Sequence, residues 1–140
     1  MNSRDYFELF RHLLEQLCLH QEDMQIVSDI SDWCRAHDIP ETDRERPFRF
    51  LSLGAGGCKM LVREEIPERV VEGRINALRM RDQLKSVAAD RGDRLNSHHK
   101  KLAYLFLREY ALSLPDIGGD ELVADDWAFG EMEKLGLFKA

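Results

Sequence analysis

The chain has 140 residues, of which 44% are hydrophobic and 33% charged, and its formal net charge is −6. This length predicts one domain, residues 1–140, that buries about 68–70% of the surface its unfolded chain exposes, and this hydrophobic content excludes a disordered chain. No apolar run approaches the ~20 residues of a membrane-spanning helix and the N-terminus lacks a signal-peptide pattern, so we expect a cytoplasmic protein without a membrane contact.

The first 37 residues show the apolar spacing of helices. After Ser3, a favourable N-cap, apolar side chains recur three and four residues apart. A second apolar stripe runs from Met24 to Cys34. Because residues 4–37 contain no glycine or proline, the pattern fits either one long helix or a helical hairpin. We favour the hairpin, since polar residues at 21–23 interrupt the stripe.

The next segment predicts a loop and a small β-hairpin. Residues 38–47 are polar and contain two prolines. The runs 48–53 and 58–63 half-alternate between apolar and polar residues, and the glycine-rich stretch 54–57 between them suits a four-residue hairpin loop. The alternative is a short helix that begins at Pro47 and ends at Gly54.

Two helices are predicted between residues 67 and 114. Pro67 suits the first position of a helix whose apolar stripe covers residues 70–89 and ends at a break at residues 90–93. Asn96 or Ser97 caps the next helix, which is apolar on nearly its whole circumference over residues 102–114. A helix of this kind belongs at the centre of a fold.

A last helix is predicted from the cap Asp120 to Leu135. The fold class is therefore mainly α: a bundle of about five helices, with residues 102–114 as the central helix and a small β-hairpin near residues 48–63.

The cysteines and histidines do not predict a metal site. Cys18, Cys34 and Cys58 are odd in number and widely spaced, so we expect free thiols. Cys18 with His20 and Cys34 with His37 would form a two-cysteine, two-histidine set. Along a helix, however, the two pairs would lie about 20–25 Å apart, too far for one zinc ion. No catalytic constellation or cofactor motif is evident, so the sequence favours a non-enzymatic protein and leaves open an enzyme with a site between helices.

The charge is divided into three blocks: −7 over residues 1–43, +7 over 44–108 and −6 over 109–140. The arginines of the helix after Pro67 are interleaved with acids, which is typical of an exposed face with salt bridges. The segment 91–101 differs, because lysines in the first turn of a helix are unfavourable by about 0.3–1 kcal/mol each. A bound anion would relieve this cost. The candidate anion-binding residues are Arg91, Arg94, Ser97, His98, His99, Lys100 and Lys101. Alternatively, Asp90, Asp93 or the acidic ends of the domain neutralise them.

Two functions follow as expectations. The amphipathic helices and complementary charge blocks favour an interaction or regulatory module that acts through self-association as a homo-oligomer or through docking of a protein partner. The alternative is nucleic-acid or nucleotide binding by the segment 91–101, with Phe48 and Phe50 available for base stacking. The net negative charge of the chain argues against a dedicated nucleic-acid-binding domain. The sequence does not identify the partner or the oligomeric state.

Overall fold

The computed structural model of the protein describes residues 1–54, 57–81 and 85–138. Helix is the main secondary structure, as the apolar periodicity predicts. The elements in chain order are a 3-10 turn (Ser3–Tyr6), α1 (Phe7–Gln16), a second 3-10 turn (Gln21–Asp23), β1 (Met24–Val27), α2 (Ile30–Ala36), β2 (Phe48–Ser52), β3 (Cys58–Arg63), α3 (Glu68–Arg79), α4 (Lys85–Arg94), α5 (His98–Leu112) and α6 (Glu121–Lys134).

The sheet is three-stranded and mixed, with the order β1-β3-β2. β2 is antiparallel to β3, with Phe48 opposite Val62, and β1 is parallel to β3, with Met24 opposite Met60. The predicted hairpin is therefore incomplete as a description of the sheet, and the alternative helix from Pro47 is wrong. Residues 55 and 56 of the predicted hairpin loop lie outside the described residues.

The first 37 residues form neither one long helix nor a hairpin of two helices. Met24–Val27, which we predicted as helix, is β1, and its Ile-Val end suits a strand because β-branched side chains are restricted in helices. Asp29 then starts α2, since its side chain accepts the N–H of Asp32 at 2.9 Å. The apolar stripe from residue 24 to 34 thus combines a strand and a helix.

The helix after Pro67 also differs from its prediction. α3 ends at Arg79, and α4 continues through the predicted break at residues 90–93 to Arg94. Gly92 lies inside α4, where a Cβ atom would stand 2.6 Å from Cγ of Arg79. The glycine therefore admits the Arg79 side chain and does not end the helix. Residues 82–84, which include Leu84 of the predicted stripe, lie outside the described residues.

α5 is at the centre of the packing. Its residues Leu102 to Arg108 are all buried, and it contacts α1, α3, α6 and β2. The rings of Phe10, Phe48 and Phe106 lie 5.4–5.5 Å apart and join α1, β2 and α5. This packing fixes the orientation of α5, and with it the position of Arg108. Within the described ranges, none of the helices has the length and apolar character needed to cross a membrane.

Candidate functional site

The structure places the predicted anion-binding residues on two helices. Arg91 and Arg94 lie in the last turns of α4 and face α6. Arg91 Nη1 lies 2.5 Å from a carboxylate oxygen of Asp126. Arg94 lies over the ring of Phe138, with its guanidinium carbon 4.1 Å from the ring centre. These two arginines therefore hold α4 against α6 and the residues after it.

The other five predicted residues lie at the start of α5. Ser97 is the N-cap and accepts the N–H of Lys100 at 3.2 Å, as predicted for a cap. His98 Nε2 lies 2.9 Å from Glu68, and Lys101 Nζ lies 2.5 Å from Glu72. His99 packs edge-on against Tyr6, and Lys100 donates to Asn96.

Four of these basic side chains thus contact carboxylates of the same chain: Arg91, Arg94, His98 and Lys101. Anion binding by the segment remains a prediction, and loss of oligonucleotide binding in Lys100→Glu would test it.

A second group of basic residues surrounds a cavity of about 130 Å³ between α3, α5 and α6. Arg74 of α3 and Arg81, which lies two residues after the end of α3, both line this cavity. Tyr104 and Arg108, four residues apart, face them from α5. The complete lining is Arg74, Ala77, Arg81, Tyr104, Leu105, Arg108 and Glu121.

A buried carboxylate organises one end of this cavity. Asp125 of α6 is almost fully buried, and its Oδ1 accepts a hydrogen bond from the Tyr104 phenol at 2.5 Å. Arg108 Nε donates to the same oxygen at 3.2 Å, and Arg81 Nε lies 2.8 Å from Oδ2. Burial raises the pKa of Asp125, while the phenol and the two guanidinium groups act in the opposite direction. The carboxylate therefore fixes three of the groups that line the cavity.

Tyr104 is a hydrogen-bond donor in this network. Burial, and then the nearby charge of Asp125, raise the pKa of Tyr104 far above its ordinary value. The phenol therefore keeps its proton and donates it in the hydrogen bond to Asp125.

The rim of the cavity carries a more exposed carboxylate. Arg108 Nη2 donates to Glu121 Oε1 at 2.9 Å, and the Glu121 side chain is 64% exposed. Arg108 is thus held by one buried and one exposed carboxylate. Burial opposes its charge, but the contacts with Tyr104, Asp125 and Glu121 raise the pKa of Arg108.

Arg74 connects the cavity to the loop before β2. Its Nη2 lies 2.5 Å from Asp43 Oδ2, and Asp43 Oδ1 accepts the N–H of Glu45 at 3.0 Å. Burial opposes ionisation of Asp43, but these hydrogen bonds outweigh it and lower the pKa of the carboxyl group.

A second, more open cleft of about 370 Å³ lies on the other side of this loop. Glu41 contacts Arg46 Nε and Arg49 Nη1, each at 2.8 Å, and Arg46 Nη1 lies 3.0 Å from Glu109. Burial raises the pKa of Glu109 despite the arginines beside it. A third, small space of about 10 Å³ shares Arg74 and Arg108 with the first cavity and Glu109 with the second cleft, and Phe48 is part of its wall.

The cavity can hold an anion through hydrogen bonds that its own ion pairs leave available. A guanidinium has five N–H donors. In contacts with the residues that the structure describes, Arg74 uses one of its nitrogens and Arg108 uses two. The remaining donors of both side chains are available to an oxyanion, and guanidinium geometry matches oxyanions well.

Sequence analysis missed this site, although part of the signal was present. We interpreted the arginines of the helix predicted after Pro67 as an exposed face, but the side chains of Arg74 and Arg81 are only 31% and 13% exposed, and Arg81 lies beyond the end of α3. Their spacing of seven residues predicts a shared face. Nothing local in the sequence indicates that this face lies opposite Arg108.

The described parts of the chain contain no group of three or more histidine, cysteine, aspartate or glutamate side chains that could hold a metal ion. Cys18, Cys34 and Cys58 are free thiols. Comparisons with protein-family models, with curated proteins and with solved structures give no match to this chain. The function is therefore argued from the geometry of the cavity.

Proposed function

We propose that the protein is a non-enzymatic regulatory module that binds a small anionic ligand in the cavity between α3, α5 and α6. The observation that carries the proposal is the position of Arg74, Arg81 and Arg108, which line one cavity of about 130 Å³ from two sides. About 10–15 Å³ of such space holds one water molecule, so this cavity has room for a small ligand. The sequence suggests phosphate binding by segment 91–101. The ligand proposed here is also anionic, but it binds in this cavity.

The charges around the cavity favour binding of an anion through direct hydrogen bonds rather than through long-range electrostatic attraction. Each of the three arginines already contacts a carboxylate, since Asp43 holds Arg74 and Asp125 holds both others. Glu121 on Arg108 is the third carboxylate, so the cluster of three arginines and three carboxylates is close to neutral, and long-range attraction of an anion is weak. Charge-assisted hydrogen bonds inside the cavity supply the binding energy, and they are roughly twice as strong as neutral ones.

Thermal unfolding in the presence of anions tests the proposal. A ligand that binds only the folded state raises the unfolding temperature in a concentration-dependent way. We expect phosphate to stabilise the wild-type protein relative to chloride at equal ionic strength, and Arg74→Gln to abolish the effect. Arg35→Gln is the control, because Arg35 is exposed and its one ion pair with the described part of the chain is with Asp32 in its own helix. The proposal is wrong if no anion stabilises the wild type, or if Arg74→Gln responds as the wild type does.

A second candidate function is docking of a protein partner, with self-association as its simplest form. Among the described residues, four large apolar side chains are exposed: Leu53 (39%), Met80 (68%), Val87 (42%) and Val123 (44%). Val87 precedes Arg91 by one turn and Val123 precedes Asp126 by one turn, and Arg91 contacts Asp126. These valines therefore lie toward the same end of the α4–α6 pair, which supports a small apolar contact surface.

Light scattering over a range of protein concentrations tests self-association. We expect a concentration-dependent increase in mass that Val123→Glu reduces. Leu53→Glu is the control, since Leu53 is similarly exposed but follows β2, away from α4 and α6. A mass that corresponds to one chain at all concentrations would exclude self-association.

A further inference from the structure

We infer that the cavity takes one small tetrahedral oxyanion, either inorganic phosphate or the phosphate group of a small monoester, and that Glu121 occupies part of its site until the anion displaces it. This inference rests on the proposed function, that an anion binds in this cavity. It adds the class of the ligand and the internal group with which the ligand competes.

The arrangement of donors favours a tetrahedral anion. Arg74 and Arg81 approach from α3 and the residues that follow it, and Arg108 approaches from α5. A planar carboxylate is satisfied by one guanidinium in a bidentate pair. Phosphate has oxygens in four directions and can accept from guanidinium groups on opposite walls at once. Three arginines on two walls therefore suit phosphate better than a carboxylate.

The dimensions of the cavity favour a small ligand. A neighbouring space that shares Arg74, Leu105 and Arg108 with the cavity measures only about 10 Å³. A space of this size holds about one water molecule. A nucleotide cannot extend through it and would leave its sugar and base in solvent. It should gain little affinity over phosphate alone.

Glu121 occupies the position of a ligand oxygen. Its carboxylate accepts from Arg108 Nη2 at 2.9 Å at the rim of the cavity. The other carboxylate on Arg108 belongs to Asp125, whose side chain is 2% exposed and cannot leave without disrupting the core. Glu121 is 64% exposed, and exposed ion pairs contribute little stability. Displacement of Glu121 therefore costs little and frees a donor of Arg108.

The same displacement changes the charge of the site. With Glu121 turned away, the ion pairs that remain on Arg74, Arg81 and Arg108 among the described residues are those with Asp43 and Asp125, so the charge of this cluster rises from about zero to +1. The cap of α6 does not depend on Glu121, because Asp120 accepts the N–H groups of Leu122 and Val123. Glu121 can thus act as a competitor without a structural role.

Calorimetric titration at constant ionic strength tests both parts of the inference. The probes are inorganic phosphate, glycerol phosphate, acetate and ATP, each added to the wild type and to Glu121→Gln. We expect phosphate or glycerol phosphate to bind and acetate to bind at least tenfold more weakly. Glu121→Gln should bind the phosphate probes about two- to fivefold more tightly, which corresponds to about 0.4–1 kcal/mol at 1.4 kcal/mol per tenfold change.

Glu133→Gln is the matched control. It removes the same charge from the same helix, but Glu133 faces Arg94. An equal gain in Glu121→Gln and Glu133→Gln would overturn the displacement of Glu121. If acetate bound as tightly as phosphate, or if ATP bound more than tenfold more tightly than phosphate, the proposed ligand class would be wrong. The proposal that Arg74 takes part in binding an anion would still stand. Absence of binding by every probe would overturn the proposed function as well.

Discussion

Tyr104 and Asp125 are joined by a buried hydrogen bond of 2.5 Å between α5 and α6. Asp125 also contacts the guanidinium groups of Arg81 and Arg108, and the ring of Tyr104 lies 5.5 Å from that of Phe129 in the core. The hydrophobic packing of the two helices therefore determines where the cavity's arginines point. A change in this pair should affect both the stability of the protein and its binding site.

Tyr104→Phe should destabilise the protein without a change in packing. Removal of the hydroxyl leaves a buried carboxylate without one of its donors, and hydrogen bonds to charged groups contribute about 1.5–3 kcal/mol. We expect the free energy of unfolding, measured with urea, to fall by about that amount. Tyr110→Phe is the control, because the Tyr110 phenol has no hydrogen bond to any part of the chain that the structure describes. An equal loss in both variants would contradict the prediction.

Glu109 and Asp43, two carboxyl groups near the clefts, should make the stability of the fold depend on pH in opposite directions. The pKa of Glu109 is raised in the folded protein because burial disfavours its charged form. Its favourable contribution is therefore full below its unfolded pKa, about 4.5, and is lost as the pH rises. The pKa of Asp43 is lowered, because its hydrogen bonds with Glu45 and Arg74 outweigh its burial. Its contribution is present above about 3.8 and is lost as the pH falls.

Urea unfolding of Glu109→Gln and Asp43→Asn from pH 7 to about pH 2.5 measures these effects, because the lowered pKa of Asp43 places the loss of its contribution below its ordinary value. Relative to the wild type, Glu109→Gln should lose stability as the pH falls, because the wild type gains from protonation of Glu109. Asp43→Asn should be most destabilised at pH 7 and approach the wild type at low pH. Each variant is the control for the other, and slopes of the same sign would contradict the pKa directions.

The same substitution at two helical glycines should have different effects. A Cβ at Gly73 in α3 meets no atom within 4 Å, whereas a Cβ at Gly92 in α4 meets Arg79 Cγ at 2.6 Å. Alanine is favoured over glycine in helices by about 0.8–1 kcal/mol, so Gly73→Ala should stabilise the protein by about this amount. Gly92→Ala must move Arg79 away from Asp93, so its gain should be smaller or absent. Thermal unfolding would measure both, and equal gains would contradict the close packing at Gly92.

The elements that the sequence predicted correctly are those with local signals. Ser97 and Asp120 start α5 and α6 through the side-chain caps that their residue types favour. β1 was missed because Met24–Val27 is defined by its pairing with β3, more than 30 residues later, and its apolar spacing also fits a helix. Gly92 was predicted to end a helix, because glycine disfavours helices. In the structure it lies inside α4, where its lack of a side chain makes room for Arg79. These errors arise where a distant partner decides the local structure.

In the candidate site, too, some features have local sequence signals and others depend on distant contacts. The seven-residue spacing of Arg74 and Arg81 is visible in the sequence, although Arg81 lies two residues beyond the end of α3. The burial of the helix that carries Tyr104 and Arg108 is visible as well. Asp125, which contacts Arg81, Tyr104 and Arg108, follows 17 residues after Arg108, and nothing in its local sequence indicates that it is buried. A buried carboxylate among arginines depends on three elements at once, and one sequence does not encode that contact locally.

Asp29 supplies a last prediction, because it marks the change from β1 to α2. Its Oδ1 accepts the N–H of Asp32 at 2.9 Å and the hydroxyl of Ser31 at 2.7 Å. Loss of such a cap costs about 0.5–2 kcal/mol, so Asp29→Ala should lower the free energy of unfolding by that amount. Asp29→Asn keeps an oxygen acceptor and should cost much less at neutral pH. Urea unfolding of both variants measures the difference, and an Asp29→Asn loss as large as that of alanine would show that charge at this position matters more than the cap.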